Sequence, residues 1–306
     1  MTTKPRVLVL ADVSGWAWDR KGQQYVTHLS DEFDVHLAYM TRPEYGRLDV
    51  STFDLVHCFE VSQIDRLPES IRERRHSAPR IVAGLTAHVW RTWGADRMHA
   101  WAESCDALHG NSYLLVDELR QFHARVYYTP NGVDADFWSP EPGFVDMPDI
   151  DTRLVACHVG KPNPRKGSAM IVEACRRRDI PLLLCQRSSQ IALPPEAIRQ
   201  LYRASHVQIT MSDMDGTPNP MLEAAACGSA LISTRIGNMP DLIRHGVNGY
   251  LVDRSADALV AALSSLTPAR AVAMGRSARE DILHFWTWTR TAEYVRALWR
   301  AVLGGR

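Results

Sequence analysis

Two loops in the second half of the chain collect residues able to hold an anion and a polyol. The first, Gly160 to Gly167, reads G-K-P-N-P-R-K-G and carries Lys161, Arg165 and Lys166 between an apolar run and a helix start. Cations beside the free N–H groups and positive end of a helix suit a phosphate. The loop is not a Walker motif: Arg165 stands where a second glycine would be needed, and K-G-S reverses the order G-K-S. The second, Asp215 to Ile232, reads D-G-T-P-N-P-M-L-E-A-A-A-C-G-S-A-L-I. A Gly/Pro loop leads into a short helix of small residues that ends at Gly228, and an apolar strand follows. Asn219 is expected as the helix N-cap and Pro220 as its first residue. Taken singly, Asp215 reads as a turn residue, Glu223 as an acid compensating the helix dipole, and Gly160–Gly167 equally as a solvated basic loop. Taken together, two anion-favouring helix starts at the carboxyl edge of one sheet suggest a diphosphate, which two lysines could neutralise without a metal ion. Carboxylates accept hydrogen bonds from vicinal hydroxyls, so the combination suggests a sugar nucleotide.

The elements that must position these loops follow from hydrophobic patterning. Apolar runs alternate with helical segments and show no hairpin signals, which predicts doubly wound parallel sheets. Strands are expected at 7–10, 35–38, 53–58, 81–85, 107–110 and 126–129, with helices at 25–29 and 112–122. Gly15, Trp16 and Trp18 fall in the loop after the first strand. Thr86, His88, Trp90 and Trp93 follow the fourth. The tryptophans could stack on sugar faces or equally be buried packing residues. The proline- and acid-rich stretch 140–151 reads as a linker. Beyond it, strands are expected at 154–159, 181–185, 207–211, from 230, and at 248–252. Helices are expected at 168–177, 195–204, 256–263 and, as one long helix, 269–303. The predicted domains are therefore 1–140 and 141–285.

Composition narrows the function class. Of 306 residues, 35 are Lys or Arg and 35 are Asp or Glu, so the net charge is zero and nucleic acid is not expected as the main partner. No apolar run reaches membrane-spanning length, and the N-terminus M-T-T-K-P-R-V-L-V-L lacks a signal-peptide pattern. Cysteines 58, 105, 157, 175, 185 and 227 form no C-x-x-C pair and have no histidine at metal spacing, so buried thiols in a cytoplasmic protein are expected. His57 reads as a core or edge histidine, and Trp286, Trp288 and Trp299 as packing residues of the last helix.

The segment from Asp215 to Ser233 resembles the donor-binding signature of retaining GT-B glycosyltransferases of family four, in which two acids with seven residues between them precede a small-residue helix and a C-G turn. The loop Gly160 to Gly167 is similar to that family's basic phosphate loop. T-P-N-G-V-D-A-D-F-W resembles the segment closing its first domain, G-N-M-P-D-L-I-R-H-G-V-N-G-Y-L-V the stretch after its signature, and H-F-W-T-W-T-R-T-A-E-Y its terminal helix. The resemblance implies a GT-B fold: two Rossmann-like, doubly wound parallel-sheet domains facing across a cleft, with the helix of about 286–306 packing back on the first.

It also implies transfer of a sugar from a nucleoside-diphosphate sugar, such as a UDP- or GDP-sugar, to a hydroxyl of a glycan, glycolipid or small metabolite. Configuration would be retained, and neither cofactor nor metal required. Glu223 would bind the ribose hydroxyls and Asp215 the donor sugar. The backbone of Gly216, Thr217, Pro218, Asn219 and Pro220 would line the sugar. Lys161, Arg165 and Lys166 would hold the diphosphate, and Gly15 would let backbone approach it. Trp16, Trp18, Thr86, His88 and Trp90 would face the acceptor, with His88, Lys166 and Asp215 as the catalytic set.

The chain departs from the family pattern in four places. The first acid is Asp215 rather than glutamate, and Lys161 replaces the usual arginine. Thr86 stands at the usual histidine position with His88 two residues on. The stretch Cys185–Pro195 is short. These departures motivate an alternative, a non-catalytic sugar-nucleotide-binding or scaffold protein of the same fold. The resemblance leaves open peripheral association with the inner face of the membrane, as well as oligomeric state and donor base.

Overall fold

The computed structural model describes residues 3–73, 79–141, 152–161, 163–186 and 193–304. Most of the expected linker 140–151 and the middle of the short stretch 185–195 lie outside them. The chain divides into two compact units, Met1–Asn131 with Trp288–Arg306, and Gly132–Thr287.

In the first unit β1 (Arg6–Ala11), β2 (Asp34–Tyr39), β3 (Leu55–Cys58), β4 (Arg80–Leu85), β5 (Ala107–Gly110) and β6 (Val126–Tyr128) form one parallel sheet in the order β2-β1-β3-β4-β5-β6. Its helices in this half are α1 (Ala17–Leu29), α2 (Glu69–Arg72), α3 (Ala95–Glu103) and α4 (Tyr113–Leu119). Successive strand residues point to opposite faces and both faces are buried, which explains the unbroken apolar runs. Leu8, Leu10, Val56 and Ile81 pack with Met98, Trp101 and Leu115 on one side. Val7, Val9, Leu55 and Val82 pack with Tyr25 and Leu29 of α1 and with Val295, Leu298 and Trp299 on the other.

In the second unit β7 (Ala156–Gly160), β8 (Leu182–Gln186), β9 (Val207–Thr210), β10 (Ala230–Thr234) and β11 (Gly249–Val252) form a second parallel sheet, in the order β11-β10-β9-β7-β8. Its helices are α5 (Ser168–Arg177), α6 (Pro195–Arg203), α7 (Asn219–Ala226), α8 (Met239–Leu242), α9 (Ala256–Ser264) and α10 (Pro268–Asp281). The last helix, α11 (Trp288–Leu303), packs in the first unit. There Trp299 is fully buried and its Nε1–H donates to His57 Nδ1 at 3.1 Å. Arg296 donates to Asp31, Glu32 and the His28 carbonyl.

Three expectations need correction. The first helix begins at Ala17, not near 25, so Trp18 is helical and stacks on Phe59, with ring centroids 6.2 Å apart. The polar run before Tyr25 hides this helix from hydrophobic periodicity, and a Cβ at Gly22 in its interior would meet the tip of the Leu37 side chain at 2.5 Å, so Leu37 packs directly on the helix backbone there. The expected single helix 269–303 is two. A π-helical turn, Ile282–Trp286, follows α10, and Thr287 is extended, with ψ 153°. The boundary between units falls at Asn131 rather than 140. The reason is that Val133 N–H bonds to Trp286 O at 2.8 Å, while Arg199 and Arg203 donate to the carbonyls of Phe137 and Ser139. Residues 133–139 are therefore tied into the second unit.

Candidate functional site

Both sheets change winding direction once, between β1 and β3 in the first unit and between β7 and β9 in the second. The carboxyl ends of strands flanking such a switch point are where open α/β sheets bind ligands. In the second unit the loops after β7 and β9 are the two chemically rich stretches found in the sequence.

The loop after β7 is built by local capping. Asn163 Oδ1 accepts from Arg165 N–H at 2.9 Å, a 3-10 turn spans Pro164–Lys166, and Gly167 takes a left-handed φ of +71°. A Cβ at Gly167 would lie 2.4 Å from the Met211 carbonyl oxygen, so glycine allows this loop to lie against the end of β9. His158 braces it from below. Its Nδ1 bonds to Ile209 O at 2.8 Å and its Nε2 to Ser168 Oγ at 3.0 Å. Since the carbonyl only accepts, Nδ1 carries the proton and Nε2 accepts from the hydroxyl. Burial holds this histidine below its ordinary range, with the Ile209 bond opposing and the Lys166 charge adding to the effect. A buried strand histidine has no sequence signature of such a role.

The two loops meet through charge. Lys166 Nζ is bonded to Asp215 Oδ2, with both side chains about a quarter exposed, at 26% and 21%. Arg165 bonds Asp213 at 3.3 Å and the Met214 sulfur, while Arg254 reaches the carbonyls of Met211 and Pro164. Arg254, thirty-nine positions after Asp215, carries no sequence signal that would single it out. Lys161 is exposed at the mouth of the same loop.

Helix α7 starts at Asn219 with Pro218 as its capping residue and Pro220 in its first turn, one residue earlier than the cap expected from sequence. Pro218 offers no side-chain acceptor, and no side-chain cap bond forms. Gly216 is buried, and its carbonyl accepts from Asn238 N–H at 2.9 Å. Among the described residues, the Thr217 hydroxyl and both amide atoms of Asn238 are buried without hydrogen-bond partners. Glu223 is 9% exposed, and its Oε2 accepts from the fully buried Tyr202 hydroxyl at 3.0 Å. Burial, followed by the Glu223 charge, pushes the Tyr202 phenol well above its ordinary value. Tyr202 comes from α6 and cannot be matched to Glu223 by spacing.

In the first unit Gly15 has φ +84°, and its N–H donates to Asp19, whose carboxylate also accepts from Tyr39 and Gln23. Burial alone would raise the Asp19 carboxyl, but these bonds outweigh it and hold it below the usual range. Trp16 is 62% exposed, whereas Trp18 is packed. Lys21, in the middle of α1, is 4% exposed, donates to Thr129 O at 3.2 Å and is brought down by burial to about 7. After β4, Thr86 offers its carbonyl to Asn111, and His88, Trp90 and Arg91 converge on Glu118 of α4. Trp90 also packs edge-on against Phe122, at 5.2 Å, so its indole is held on both sides. Neither Lys21 nor Glu118 is legible from sequence. Among the described residues no group of three or more His, Cys, Asp or Glu side chains could hold a metal ion, and no single helix is long and apolar enough to cross a membrane. All six cysteines are buried.

Comparison with known proteins accords with this arrangement. Residues 184–267, which span β9, α7 and β10, match the family model of group 1 glycosyl transferases. The chain is 26% identical to the alpha-maltose-1-phosphate synthase of Mycolicibacterium smegmatis, with 74% of each chain covered. Its fold superposes on sucrose-phosphate synthase of Thermosynechococcus elongatus with a TM-score of 0.79 at 16% identity, over 99% of this chain and 100% of the other. Anabaena HepE, solved in complex with UDP-glucose, superposes with a TM-score of 0.71 at 12% identity over 97% and 99%. Two parallel-sheet units and these structural likenesses give the chain the GT-B fold, and in sequence it is similar to group 1 glycosyl transferases.

Proposed function

We propose that the second unit binds a nucleoside-diphosphate sugar and that the enzyme transfers its glycosyl group to an acceptor hydroxyl with retention of configuration, without a metal ion. The observation that carries this reading is the meeting of Lys166 and Asp215 at the switch point of the second sheet, with α7 starting immediately after. One loop supplies cations for a diphosphate and the next a carboxylate for sugar hydroxyls, so a charged and a polyhydroxylated group can lie side by side. The UDP-glucose complex of HepE, which shares this fold, is in keeping with this choice of ligand.

In this reading Lys161, Arg165 and Lys166 stabilise the diphosphate as it departs. Asp215 orients the donor sugar against the Gly216–Pro220 backbone, and Glu223 accepts from the ribose hydroxyls. Lys166 exchanges part of its bond with Asp215 for a phosphate oxygen. A partly exposed ion pair of this kind is worth roughly 1 kcal/mol, well below what a phosphate contact returns. On the first unit, Gly15 admits a phosphate close to backbone, and Thr86, His88, Trp16 and Trp90 serve the acceptor side. On the acceptor side Trp16 is largely exposed, while Thr86, His88 and Trp90 are half-buried. A cytoplasmic setting, with or without peripheral contact to a membrane face, fits the same reading.

The test is a thermal-shift screen of UDP-, GDP-, ADP- and dTDP-sugars, followed by transfer assays with the stabilising donor. Glu223→Ala and Lys166→Ala are each expected to weaken donor binding or turnover at least tenfold, and chelator is expected to change neither. Unaltered binding and turnover in both variants would refute the site assignment. Donor binding by the wild type without hydrolysis or transfer to any acceptor pool would favour a non-catalytic scaffold, and NMR of the product's anomeric centre reads retention directly.

A further inference from the structure

The cluster after β4 has more order than an acceptor-facing loop requires. β4 and β5 are neighbours, so the 3-10 turn His88–Thr92 that follows β4 is brought against α4, which follows β5. Glu118 then receives three donors on two oxygens. Trp90 Nε1–H lies 2.6 Å from Oε2, Arg91 Nη2–H 2.6 Å from Oε1, and His88 Nδ1 3.0 Å from Oε2. Indole and guanidinium nitrogens can only donate, and the guanidinium favours an ionised partner. Burial alone would raise the Glu118 carboxyl, but these bonds more than offset it and leave it below the ordinary range. An ionised carboxylate has no proton to give, so the hydrogen in the His88–Glu118 bond belongs to His88 Nδ1.

We infer that Glu118 is a positioning residue for His88: it fixes the neutral imidazole as the Nδ1–H tautomer and so leaves Nε2 with a free lone pair to accept a hydrogen bond from a substrate hydroxyl. Which ring nitrogen is protonated is set by the bond the other makes, and here the partner can only accept. Among the described residues Nε2 has no hydrogen-bond partner, and the side chain is 17% exposed, so a hydroxyl can reach it. Trp90 is the second part of the device. Packed against Phe122, it holds Oε2 in place and restricts the carboxylate to the orientation that meets Nδ1. The charged groups in the cluster are Glu118 and Arg91, and Arg91 is turned to the oxygen away from His88. The role given to the Nε2 lone pair rests on the glycosyltransferase reading. The tautomer does not.

Side-chain nitrogen NMR of the full chain with isotope-labelled histidine reads the tautomer, with His88→Gln identifying the resonance and the pH held on the neutral plateau of the ring. The wild type is expected to show a protonated-type Nδ1 and a lone-pair-type Nε2. Glu118→Met, which keeps the length but replaces the carboxylate with a weakly accepting thioether, is expected to shift the ring towards the Nε2–H form favoured by free histidine. Glu118→Ala tests the same change should the methionine pack poorly. In the transfer assay Glu118→Met is expected to lower kcat about tenfold or more while donor dissociation constant and KM stay within about twofold, because the donor residues are untouched. An Nε2–H ring in the wild type, an unchanged ring in both variants, or unchanged kcat would overturn the inference. A wild type that neither binds nor transfers any sugar nucleotide would instead overturn the glycosyltransferase reading, and the tautomer would then judge the Glu118–His88 pair alone.

Discussion

Gly237→Ala should damage the donor loop from outside it. Gly237 has φ +46°, and a Cβ built there falls 2.0 Å from the Gly216 carbonyl oxygen and 2.6 Å from that of Asp215. Both are backbone atoms, so no side chain can swing away. The contact must open by about 1 Å before it becomes tolerable. That displacement breaks the bond from Asn238 N–H to Gly216 O and leaves a buried donor unpaired, at about 1–3 kcal/mol. The left-handed backbone adds about 1–2 kcal/mol for any residue with a Cβ. The sum is about 2–5 kcal/mol. At about 2–4 °C per kcal/mol for a unit of this size, the second unit should melt about 4–20 °C lower. Gly246→Ala separates the two contributions, because Gly246 has φ +81° with nothing within 4 Å of its Cβ position, so only the backbone cost applies. Scanning calorimetry gives the melting temperatures, and titration with the stabilising nucleotide sugar gives affinity. Gly237→Ala should also bind donor more weakly, since Asp215 and Gly216 carry the displaced carbonyls. If Gly237→Ala melts no lower than Gly246→Ala, the close approach has no energetic consequence and the reasoning fails.

Tyr202→Phe removes the hydroxyl that donates to Glu223. Losing a hydrogen bond to a buried carboxylate should cost about 1.5–3 kcal/mol in denaturant unfolding, and a donor affinity that falls in parallel would tie that carboxylate to the ligand. Lys21→Met tests the buried cation of α1. Burial depresses the folded lysine to about 7 from 10.5, so between those values the unfolded chain binds the extra proton and stability rises with pH by up to about 1.4 kcal/mol per unit. Below about pH 7 the cost is fully present. The methionine variant should therefore be the more stable protein at neutral pH and lose that advantage steadily towards pH 10. A constant difference across that range would show that Lys21 does not titrate there.

The residues of both donor loops, the strands that lead into them and the parallel character of the sheets can be read from the chain itself. Apolar runs of strand length, Gly228 after a small-residue helix and Ser112 before α4 are local signals, and local backbone chemistry obeys them: Ser112 Oγ does cap Leu115 N–H. What fails locally fails for a tertiary reason. The first helix escapes hydrophobic periodicity because Asp19 and Lys21, both charged residue types, occupy buried positions where the pattern looks for apolar ones. The last two helices read as one because nothing in their apolar spacing announces that Trp286 turns its carbonyl to Val133 while Trp299 buries itself in the other unit.

The site divides along the same line. Sequence supplies the lysines and carboxylates but not their partners, because periodicity encodes which face of an element is buried and says nothing of which distant element covers it. Strand order places β7 beside β9 and so brings Lys166 to Asp215. Helix packing brings Tyr202 to Glu223, and the neighbouring of β4 and β5 brings Glu118 to His88. Each of these pairs joins residues 21 to 49 positions apart along the chain, and only the folded sheets decide that they meet.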